Sequence, residues 1–224
     1  MSNPSFDSPS FGNPGSRDKI LNTVHGNQPA PRELPPLPEG TPIAAGDLAP
    51  TFITALEAIG AAAYIVSGFD RITTMLHEQF PGARRVVTGC PQLSAFAEAA
   101  TGDSDPHTLE NVDLAILPAH FGVAENGACW ITEMQMVERV LPFIAQHLVL
   151  VISSGSIVPN MHAAYDRIAT LEATPASTPY GFSTFIAGPS KTADIEQSLV
   201  LGAHGPISLI VFLLDEQLSD AGYY

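Results

Sequence analysis

The residues that could do chemistry are concentrated in the segment Gly188–Pro206, which reads GPSKTADIEQSLVLGAHGP. Lys191, Asp194 and Glu196 are the only charged residues between positions 173 and 214. The uncharged stretches on either side are typical of buried core. Three charges so close together therefore indicate a place where a ligand binds or a partner docks. The other interpretation is a charged surface turn.

The same segment also contains hydroxyl groups and a histidine that could contact a ligand. Ser190 and Thr192 flank Lys191, and their hydroxyls can cap a helix or donate hydrogen bonds to an anion. His204 lies between two glycines, Gly202 and Gly205, where it is suited to proton transfer or ligand binding, or to holding a turn through a local hydrogen bond. The chain contains neither a GxxxxGK[ST] nor a GxGxxG pattern, so the usual phosphate-loop mechanisms are not supported.

A second candidate is Glu125, the only charged residue between Leu114 and Thr132. A carboxylate buried among apolar residues has a raised pKa, which suits a general acid or base or a nucleophile. Alternatively, Glu125 is a turn residue whose carboxylate accepts backbone N–H groups. Asn126 and Gly127 follow it, and a glycine at this position lets a ligand or another backbone approach closely.

The charge of the chain excludes some classes of function. It has 23 acidic and 9 basic residues, which give a formal net charge of −14. A body this acidic repels phosphate backbones and anionic membranes, so we expect no nucleic-acid binding. The longest apolar runs are of strand length and the N-terminus is polar. We therefore expect no membrane span, no signal peptide and a cytoplasmic location.

The cysteines and histidines give no sign of a metal site. Cys90 and Cys129 are the only cysteines, and neither belongs to a CxxC or cysteine–histidine finger pattern. Two cysteines cannot ligate a four-cysteine cluster, so we expect two reduced, buried thiols. The histidines other than His204 show no ligand pairing, and we expect no metal and no cofactor in this chain.

Apolar runs of strand length alternate with helical stretches from Asp47 onward. This pattern predicts an α/β protein whose sheet is covered by helices on both faces. Strands are expected at 61–66, 84–89, 112–119, 147–153, 182–188 and 207–214. Helices are expected at 47–60, 70–80, 90–100 and 159–171, with a further helical stretch at 131–146 that is broken at Pro142.

Ahead of this α/β domain, which we assign to residues 47–224, the chain has an N-terminal extension, residues 1–46. Its first 15 or so residues are rich in Ser, Pro, Gly and Asn and predict a disordered start. Ser16–Val24 predicts a short helix capped by Ser16. Gly26–Pro42 contains six prolines and predicts an extended linker. The extension could join copies of the chain into a homo-oligomer, and a ligand for an SH3-type domain is the alternative.

Three stretches of the sequence resemble one known family. VAENGACWI, LVLVISSGSIVPN and the GPSKTADIEQSLVLGAHGP segment are similar to the LUD domain of the lactate-utilisation protein C (LutC/YkgG) family. The resemblance covers roughly Ser16 to Asp215. It implies a Rossmann-like α/β fold of the NagB/RpiA/CoA transferase-like kind, related to sugar-phosphate isomerases and class I CoA transferases. Where the family usually has Glu-Thr-Gly, this chain has Glu125-Asn126-Gly127 and lacks the threonine hydroxyl.

The resemblance implies an accessory subunit of an iron–sulfur-dependent system that oxidises L-lactate to pyruvate. The iron–sulfur clusters are then expected on partner proteins, and this chain has no redox centre of its own. The Glu-Asn-Gly triplet also resembles that of class I CoA transferases, whose glutamate attacks an acyl-CoA. The alternative is therefore a CoA transferase-like or sugar-phosphate-isomerase-like enzyme that uses Glu125. A ligand sensor or scaffold is the third class.

Ligand sites in α/β folds lie in the loops after the carboxyl ends of strands. We therefore expect one cleft at the carboxyl edge of the sheet, which binds a small anionic ligand or docks a loop of a partner protein. Glu125 and His204 are the expected catalytic residues. The expected ligand-binding residues are Asn126, Gly127, Gly188, Ser190, Lys191, Thr192, Asp194, Glu196 and Gly205.

Overall fold

The structure is a computed structural model that describes residues 15–30, 32–33, 35, 47–102, 105–173, 180–192 and 199–215. Asp194 and Glu196 lie outside the described residues, as do the first 14 residues and much of the proline-rich stretch. Predictions for these positions stay predictions. The chain divides into two compact units, Met1–Thr41 and Pro42–Tyr224.

The described residues form α-helices, β-strands and three short 3-10 turns. The helices are α1 (Ser16–Gly26), α2 (Leu48–Ala58), α3 (Phe69–Gln79), α4 (Glu133–Met136), α5 (Leu141–Ile144) and α6 (Met161–Glu172). The strands are β1 (Ala62–Val66), β2 (Val86–Thr88), β3 (Glu98–Ala99), β4 (Leu114–Pro118), β5 (Phe121–Val123), β6 (Ala128–Thr132), β7 (His147–Ser153), β8 (Ile157–Val158), β9 (Ser183–Ile186), β10 (Lys191–Thr192), β11 (Val200–Leu201) and β12 (Ser208–Leu214). The 3-10 turns are Pro91–Leu93, Pro106–Leu109 and Ser154–Ser156.

The N-terminal unit contains α1, which the apolar spacing predicts. The helix begins at Ser16, but the Ser16 side chain makes no capping hydrogen bond and Gly15 occupies the N-cap position. None of the residues of α1 is buried, and the side chains of Ile20 and Val24 are more than half exposed.

Six parallel strands form the main sheet of the larger unit, in the order β1-β12-β7-β4-β2-β3. The first residues of three neighbouring strands align, because Ser208 and Leu114 both lie opposite His147. The amino ends of the strands therefore meet at one edge of the sheet and the carboxyl ends at the other. The strands are continuous runs of Val, Ile and Leu because apolar residues cover both faces of the sheet.

Helices cover the two faces of the main sheet, as the sequence predicts. On one face, Leu76 of α3 packs in the same core as Phe212 of β12. On the other face, Phe52 and Leu56 of α2 join the core that contains Val211. Each of these buried side chains stabilises the fold by roughly 1.5–3 kcal/mol relative to exposure.

A second sheet of four strands, in the order β8-β5-β6-β9, lies between the α2 core and α6. β5 and β6 form an antiparallel hairpin, and β6 also pairs antiparallel with β9. Trp130 and Phe121 of this sheet pack with Ala164 of α6. The sequence predicts the hairpin region as a loop, and it predicts β9 without assigning it to a separate sheet. β10 and β11 form a small antiparallel pair of their own.

Two helix predictions have different outcomes. The helix expected at 90–100 is wrong, because this stretch forms a 3-10 turn and then β3, which adds to the edge of the main sheet. Glu98 of β3 forms an ion pair with Arg85 at 2.9 Å, a tertiary contact that overrides local helix propensity. The helix expected at 159–171 is confirmed as α6, with Asn160 at its N-cap position. None of the helices in the described part of the chain is long and apolar enough to cross a membrane.

Candidate functional site

The described parts of the predicted segment, 188–192 and 199–206, lie at the amino edge of the main sheet, whereas the sequence predicts the carboxyl edge. β9 belongs to the four-stranded sheet, so the loop that follows it does not follow a strand of the main sheet. The N–H of Ile207 donates to the carbonyl of Gln146 at 2.7 Å, directly before β12 and β7 begin. A short apolar strand does not reveal from its sequence which sheet it joins, and this is why the prediction is wrong.

Lys191 contacts the end of α2. Its Nζ donates a hydrogen bond to the carbonyl of Ile59. The same nitrogen lies 3.4 Å from the place that a Cβ on Gly60 would occupy. A cation is favourable here because the last carbonyls of a helix lack intrahelical partners. Lys191 is nevertheless exposed, so its ammonium group is accessible to a ligand.

Ser190 and Gly205 are brought together, as the sequence predicts for one site. The N–H of Ser190 donates to the carbonyl of Pro206 at 2.9 Å, and its carbonyl accepts from the N–H of Gly202 at 3.0 Å. A Cβ on Gly205 would lie 3.2 Å from the Cβ of Ser190, so this approach favours glycine. His204 beside them is exposed and has no hydrogen-bond partner among the described residues.

Thr192 and Gly188, two further predicted residues of this segment, take structural positions. Thr192 pairs with Val200 in the β10–β11 ladder, and positions 193–198 between the two strands lie outside the described residues. Gly188 has φ +76°. A Cβ on Gly188 would lie 3.1 Å from the carbonyl oxygen of Ile59. This glycine therefore allows the segment to pack closely against the end of α2.

Glu125 lies in the turn of the β5–β6 hairpin and is exposed, so of the two interpretations the turn residue fits the structure and the buried carboxylate does not. Its Oε2 accepts a hydrogen bond from the N–H of Met161 in the first turn of α6, at 3.0 Å. Asn126 is also exposed, and its Oδ1 accepts from the N–H of Ala128 at 3.0 Å. The geometry is that of a turn residue whose carboxylate accepts a backbone N–H. It does not test whether Glu125 is catalytic.

The two predicted segments contact the same end of α2. Gly127 has φ +71°, and a Cβ there would lie 3.0 Å from the backbone nitrogen of Leu56. Gly188 and Lys191 contact Ile59, three residues further along the chain. Residues three apart lie on the same side of a helix. The last turn of α2 therefore positions both the Glu125 turn and the Lys191 segment.

At the carboxyl edge the structure contains a polar cluster that the sequence reading does not single out. His120 follows β4, and its Nε2 lies 3.3 Å from Oγ1 of Thr132, at the end of β6. Its Nδ1 lies 3.3 Å from Nε2 of Gln135. The hydroxyl of Thr132 in turn donates to Oε1 of Gln135. These three contacts form a closed ring of hydrogen bonds, the His120 ring.

The His120 ring fixes the state of the imidazole. The amide nitrogen of Gln135 can only donate, so Nδ1 of His120 accepts and the ring proton is on Nε2. Burial lowers the pKa of His120 to about 4. The hydrogen bond from Gln135 opposes this shift, and the positive charge of Arg167 adds to it. His120 is therefore neutral near pH 7 and positions β4, β6 and α4 relative to one another.

A strained turn lies next to the His120 ring. Val137 has φ 61° and ψ −57°, and the N–H of Glu138 donates to the carbonyl of Met136 at 2.7 Å. These features define a γ-turn with positive φ, a rare conformation for a β-branched residue that costs about 1–3 kcal/mol. A Cβ on Gly89, directly after β2, would lie 3.0 Å from the carbonyl oxygen of Gln135.

The strained turn covers a topological switch point. From β2 the chain continues to β3 on one side, and from β4 it continues to β7 on the other side. Crevices between such strands, at their carboxyl ends, are the usual ligand sites of open α/β sheets. Here Gln135 and Val137 pack against Gly89 at this place. The crevice at this switch point is therefore filled by groups of the protein itself.

One sequence signal could have identified the His120 ring. Thr132 and Gln135 form a capping box at the start of α4, the pattern S/T-x-x-E/Q that marks a helix N-terminus. That signal predicts the contact between Thr132 and Gln135. It does not predict that His120, 12 residues before Thr132, completes the ring, because this contact depends on the β5–β6 hairpin.

Both cysteines are buried thiols on opposite faces of the main sheet. Cys90 is 1% exposed in the core on the α3 side, and Cys129 is 0% exposed in the core on the α2 side. Burial raises the pKa of each thiol to about 12. Within the described ranges, no group of three or more His, Cys, Asp and Glu side chains could hold a metal ion.

Comparison with known proteins gives one family and a set of named relatives. The sequence profile of the LUD domain matches residues 93–214, more than half of the chain. Lactate utilization protein C of Exiguobacterium sp. is 27% identical over 157 residues, which cover 66% of this chain and 68% of that protein. Lactate utilization protein C of Bacillus subtilis is 28% identical over 120 residues. That match covers 54% of this chain and 50% of the Bacillus protein.

A solved structure has the same fold. The crystal structure of a DUF162 family protein from Deinococcus radiodurans superposes with a TM-score of 0.57 at 18% sequence identity. The match covers 77% of this chain and 99% of that protein. At this level of identity the likeness concerns the α/β architecture alone.

Proposed function

Because the chain belongs to the LUD domain family, we propose that it is an accessory subunit of a system that oxidises L-lactate to pyruvate. The observation that carries this proposal is the set of matched relatives, which are named lactate utilization protein C. The chain spans about half the length of the Bacillus relatives. The activity of those whole proteins is therefore a proposal for this chain.

In the proposed system this chain has no redox centre, and iron–sulfur partner proteins carry the electrons. Oxidation of L-lactate to pyruvate releases two electrons and two protons, so an electron acceptor is required. The thiolates that ligate one cluster must lie close together around it. The burial of Cys90 and Cys129 in separate cores supports the assignment of the clusters to partner proteins.

The surface that serves this role is the amino-edge surface, which we define as Ser190, Lys191, Thr192, His204 and Gly205. Lys191 and His204 are exposed and lie on a segment held by glycines. An exposed ammonium group suits a small anion or an acidic loop of a partner protein. Gly188 and Gly127 pack on the end of α2 that Lys191 also contacts. Asn126, Asp194 and Glu196 remain proposed ligand-binding residues.

The alternative is a CoA transferase-like or sugar-phosphate-isomerase-like reaction that uses Glu125. Exposure of the Glu125 carboxylate leaves it accessible to a substrate. Its hydrogen bond from the N–H of Met161, however, gives the carboxylate a structural purpose at the hairpin turn. Mass spectrometry of the protein after incubation with acyl-CoA esters tests this reaction, which would leave a covalent adduct on Glu125.

The experiment that tests the proposed function is reconstitution with the iron–sulfur partner proteins. We expect L-lactate to reduce dichlorophenolindophenol when this chain and its partners are combined, and D-lactate to serve as the negative control. Each component alone should give little reduction. An equal rate with and without this chain would overturn the accessory role. An acyl adduct on Glu125 in that case would favour the transferase.

A further inference from the structure

A cavity of about 500 Å³ opens between α3 and the amino end of β2. Its apolar wall includes Leu76, Phe80 and Phe96. Its volume lies within the range of roughly 300–1,000 Å³ that is usual for small-molecule sites. The amino-edge surface and the His120 ring contribute no residue to it, so the cavity is separate from both.

The aromatic wall of the cavity is fixed by its neighbours. The rings of His77 and Phe96 meet edge to face, with centroids 4.9 Å apart. Phe80 packs on the ring of His147 at 4.7 Å. Ring contacts of this kind hold aromatic side chains in place, so little ordering would be needed when a flat molecule enters.

Arg85 and Glu98, two charged residues of the lining, satisfy each other. Nε and Nη2 of Arg85 donate to the two carboxylate oxygens of Glu98 at 3.0 and 2.9 Å. Nη1 of Arg85 donates to the carbonyl of Thr108 and to Oδ1 of Asn111. Arg85 therefore links β2, β3 and the 3-10 turn at Pro106–Leu109, and its positive charge neutralises that of Glu98.

Arg84 is the cation of the lining that remains available. Its backbone N–H donates to Oδ2 of Asp113 at 2.7 Å, which fixes the main chain at this point. Its guanidinium makes no hydrogen bond or salt bridge to another residue in the described part of the chain. Arg84 is exposed at the mouth of the cavity. A guanidinium in this state can donate hydrogen bonds to two oxygens of a carboxylate, sulfonate or phosphate group.

The charge of the lining has the opposite sign to that of the whole protein. Arg84 and Arg85 against Glu98 give the lining itself one net positive charge, whereas the chain has a formal net charge of −14. The Asp113 carboxylate, outside the lining, interacts with the charge of Arg84 and offsets part of it, so direct contact with the guanidinium is what favours an anion here. The chain has only 9 basic residues, so two adjacent arginines at one cavity are a notable concentration.

We propose that this cavity binds an organic anion with a flat apolar body. The guanidinium of Arg84 holds the anionic group at the mouth. Phe80, Phe96 and the ring of His77 contact the flat body inside. The site takes an aromatic or similarly planar carboxylate, sulfonate or phosphate ester, and it is independent of the proposed role in lactate oxidation.

Fluorescence titration of the full chain with anilinonaphthalene sulfonate tests this site. The probe has a flat aromatic body and one anionic group, and phenylnaphthylamine offers nearly the same body without the charge. We expect one saturable site and a dissociation constant about tenfold higher for Arg84→Gln, because the variant loses the charge-assisted hydrogen bonds at the exposed mouth of the cavity. Binding of the neutral probe should not depend on Arg84.

The matched control is Arg71→Gln, which removes the same charge from an exposed position of α3 outside the cavity. Its dissociation constant should equal that of the unchanged protein. Unfolding midpoints in urea verify that both variants are folded. Equal weakening by Arg84→Gln and Arg71→Gln would overturn the proposal, and so would binding of the anionic probe that neither variant changes.

Discussion

At the carboxyl edge of the main sheet, His120, Thr132 and Gln135 satisfy one another in a closed ring. At the amino edge, Lys191 and His204 are exposed. Polar groups that are already paired inside a protein stabilise the fold, and removing one partner is costly. Exposed polar groups can exchange bound water for a ligand with little loss of folding stability. The comparison separates residues that hold the domain together from residues that are free to meet a ligand or a partner.

The comparison also explains why the usual rule for α/β folds predicts the wrong edge for the Lys191 segment. The carboxyl edge contains a topological switch point, but Gln135 and Val137 fill it. The amino edge contains the exposed side chains of Lys191 and His204. The switch-point rule locates a crevice and does not say whether the protein itself fills it.

The largest effect is expected where the Glu125 turn joins α2. Gly127→Ala should lower the free energy of unfolding by about 2–4 kcal/mol, because it places a Cβ against the backbone of Leu56 at positive φ. Urea unfolding measures this loss. Gly82→Ala is the control, since a Cβ there meets nothing within 4 Å. Equal stability of the two variants would show that the turn does not pack on α2 as described.

Breaking the His120 ring should lower the free energy of unfolding by less than Gly127→Ala does. The loss should still exceed that of any change at the amino-edge surface. Thr132→Val removes the hydroxyl and leaves Nε2 of His120 without its acceptor, so we expect a loss of about 1–3 kcal/mol in urea unfolding. Thr184→Val, on β9 of the same sheet, is the control and should change stability little. A loss no larger than that of the control would contradict the closed ring.

The third effect depends on pH. The pKa of His120 is about 4 in the folded protein and near its ordinary 6.5 in the unfolded chain. Between these values the unfolded chain binds a proton that the folded protein does not, so stability falls as the pH falls from 6.5 to 4. A pKa difference of this size corresponds to a loss of about 3 kcal/mol in the free energy of unfolding. Partial exposure of the imidazole reduces the expected loss to about 1–2 kcal/mol.

Unfolding in urea at a series of pH values checks this loss, with His120→Gln as the reference. Carboxylates titrate alike in both proteins, so the difference between them isolates the imidazole. We expect the unchanged protein to lose stability relative to His120→Gln as the pH falls through this window. Parallel profiles would show that His120 is not held neutral by its surroundings.

The smallest effect on stability is expected at the amino-edge surface. Lys191→Ala removes the hydrogen bond to the carbonyl of Ile59 at the exposed end of α2. Such a contact stabilises a helix by a few tenths of a kcal/mol. Urea unfolding should give nearly the same midpoint for Lys191→Ala and for Lys19→Ala, which removes the other lysine. A loss as large as that of Thr132→Val would make Lys191 a structural residue.

The fold could be predicted where the sequence pattern is long and continuous. β4, β7 and β12 are apolar runs that are buried on both faces, and this pattern identifies strands of a covered sheet. α6 was predictable from its apolar spacing, and Asn160 caps its start. These features are local, so neighbouring residues determine them.

The rest depends on contacts between distant segments. β5 has only three residues, and its turn Glu125-Asn126-Gly127 looks like a loop until the pairing with β6 is known. The prediction that Gly127 lets another backbone approach is confirmed, but the sequence could not identify α2 as that neighbour. Lys191 reaches Ile59, 132 positions earlier in the chain, and no local pattern encodes such a contact.

The most direct test of the comparison measures lactate-dependent dye reduction in the reconstituted mixture, with Lys191→Ala and Thr132→Val compared at equal folded concentration. We predict that Lys191→Ala lowers the rate at least tenfold although it folds normally. Thr132→Val should retain the rate once its unfolded fraction is subtracted. The opposite result, an active Lys191→Ala and an inactive but folded Thr132→Val, would place the functional surface at the carboxyl edge and contradict the assignment to the amino edge.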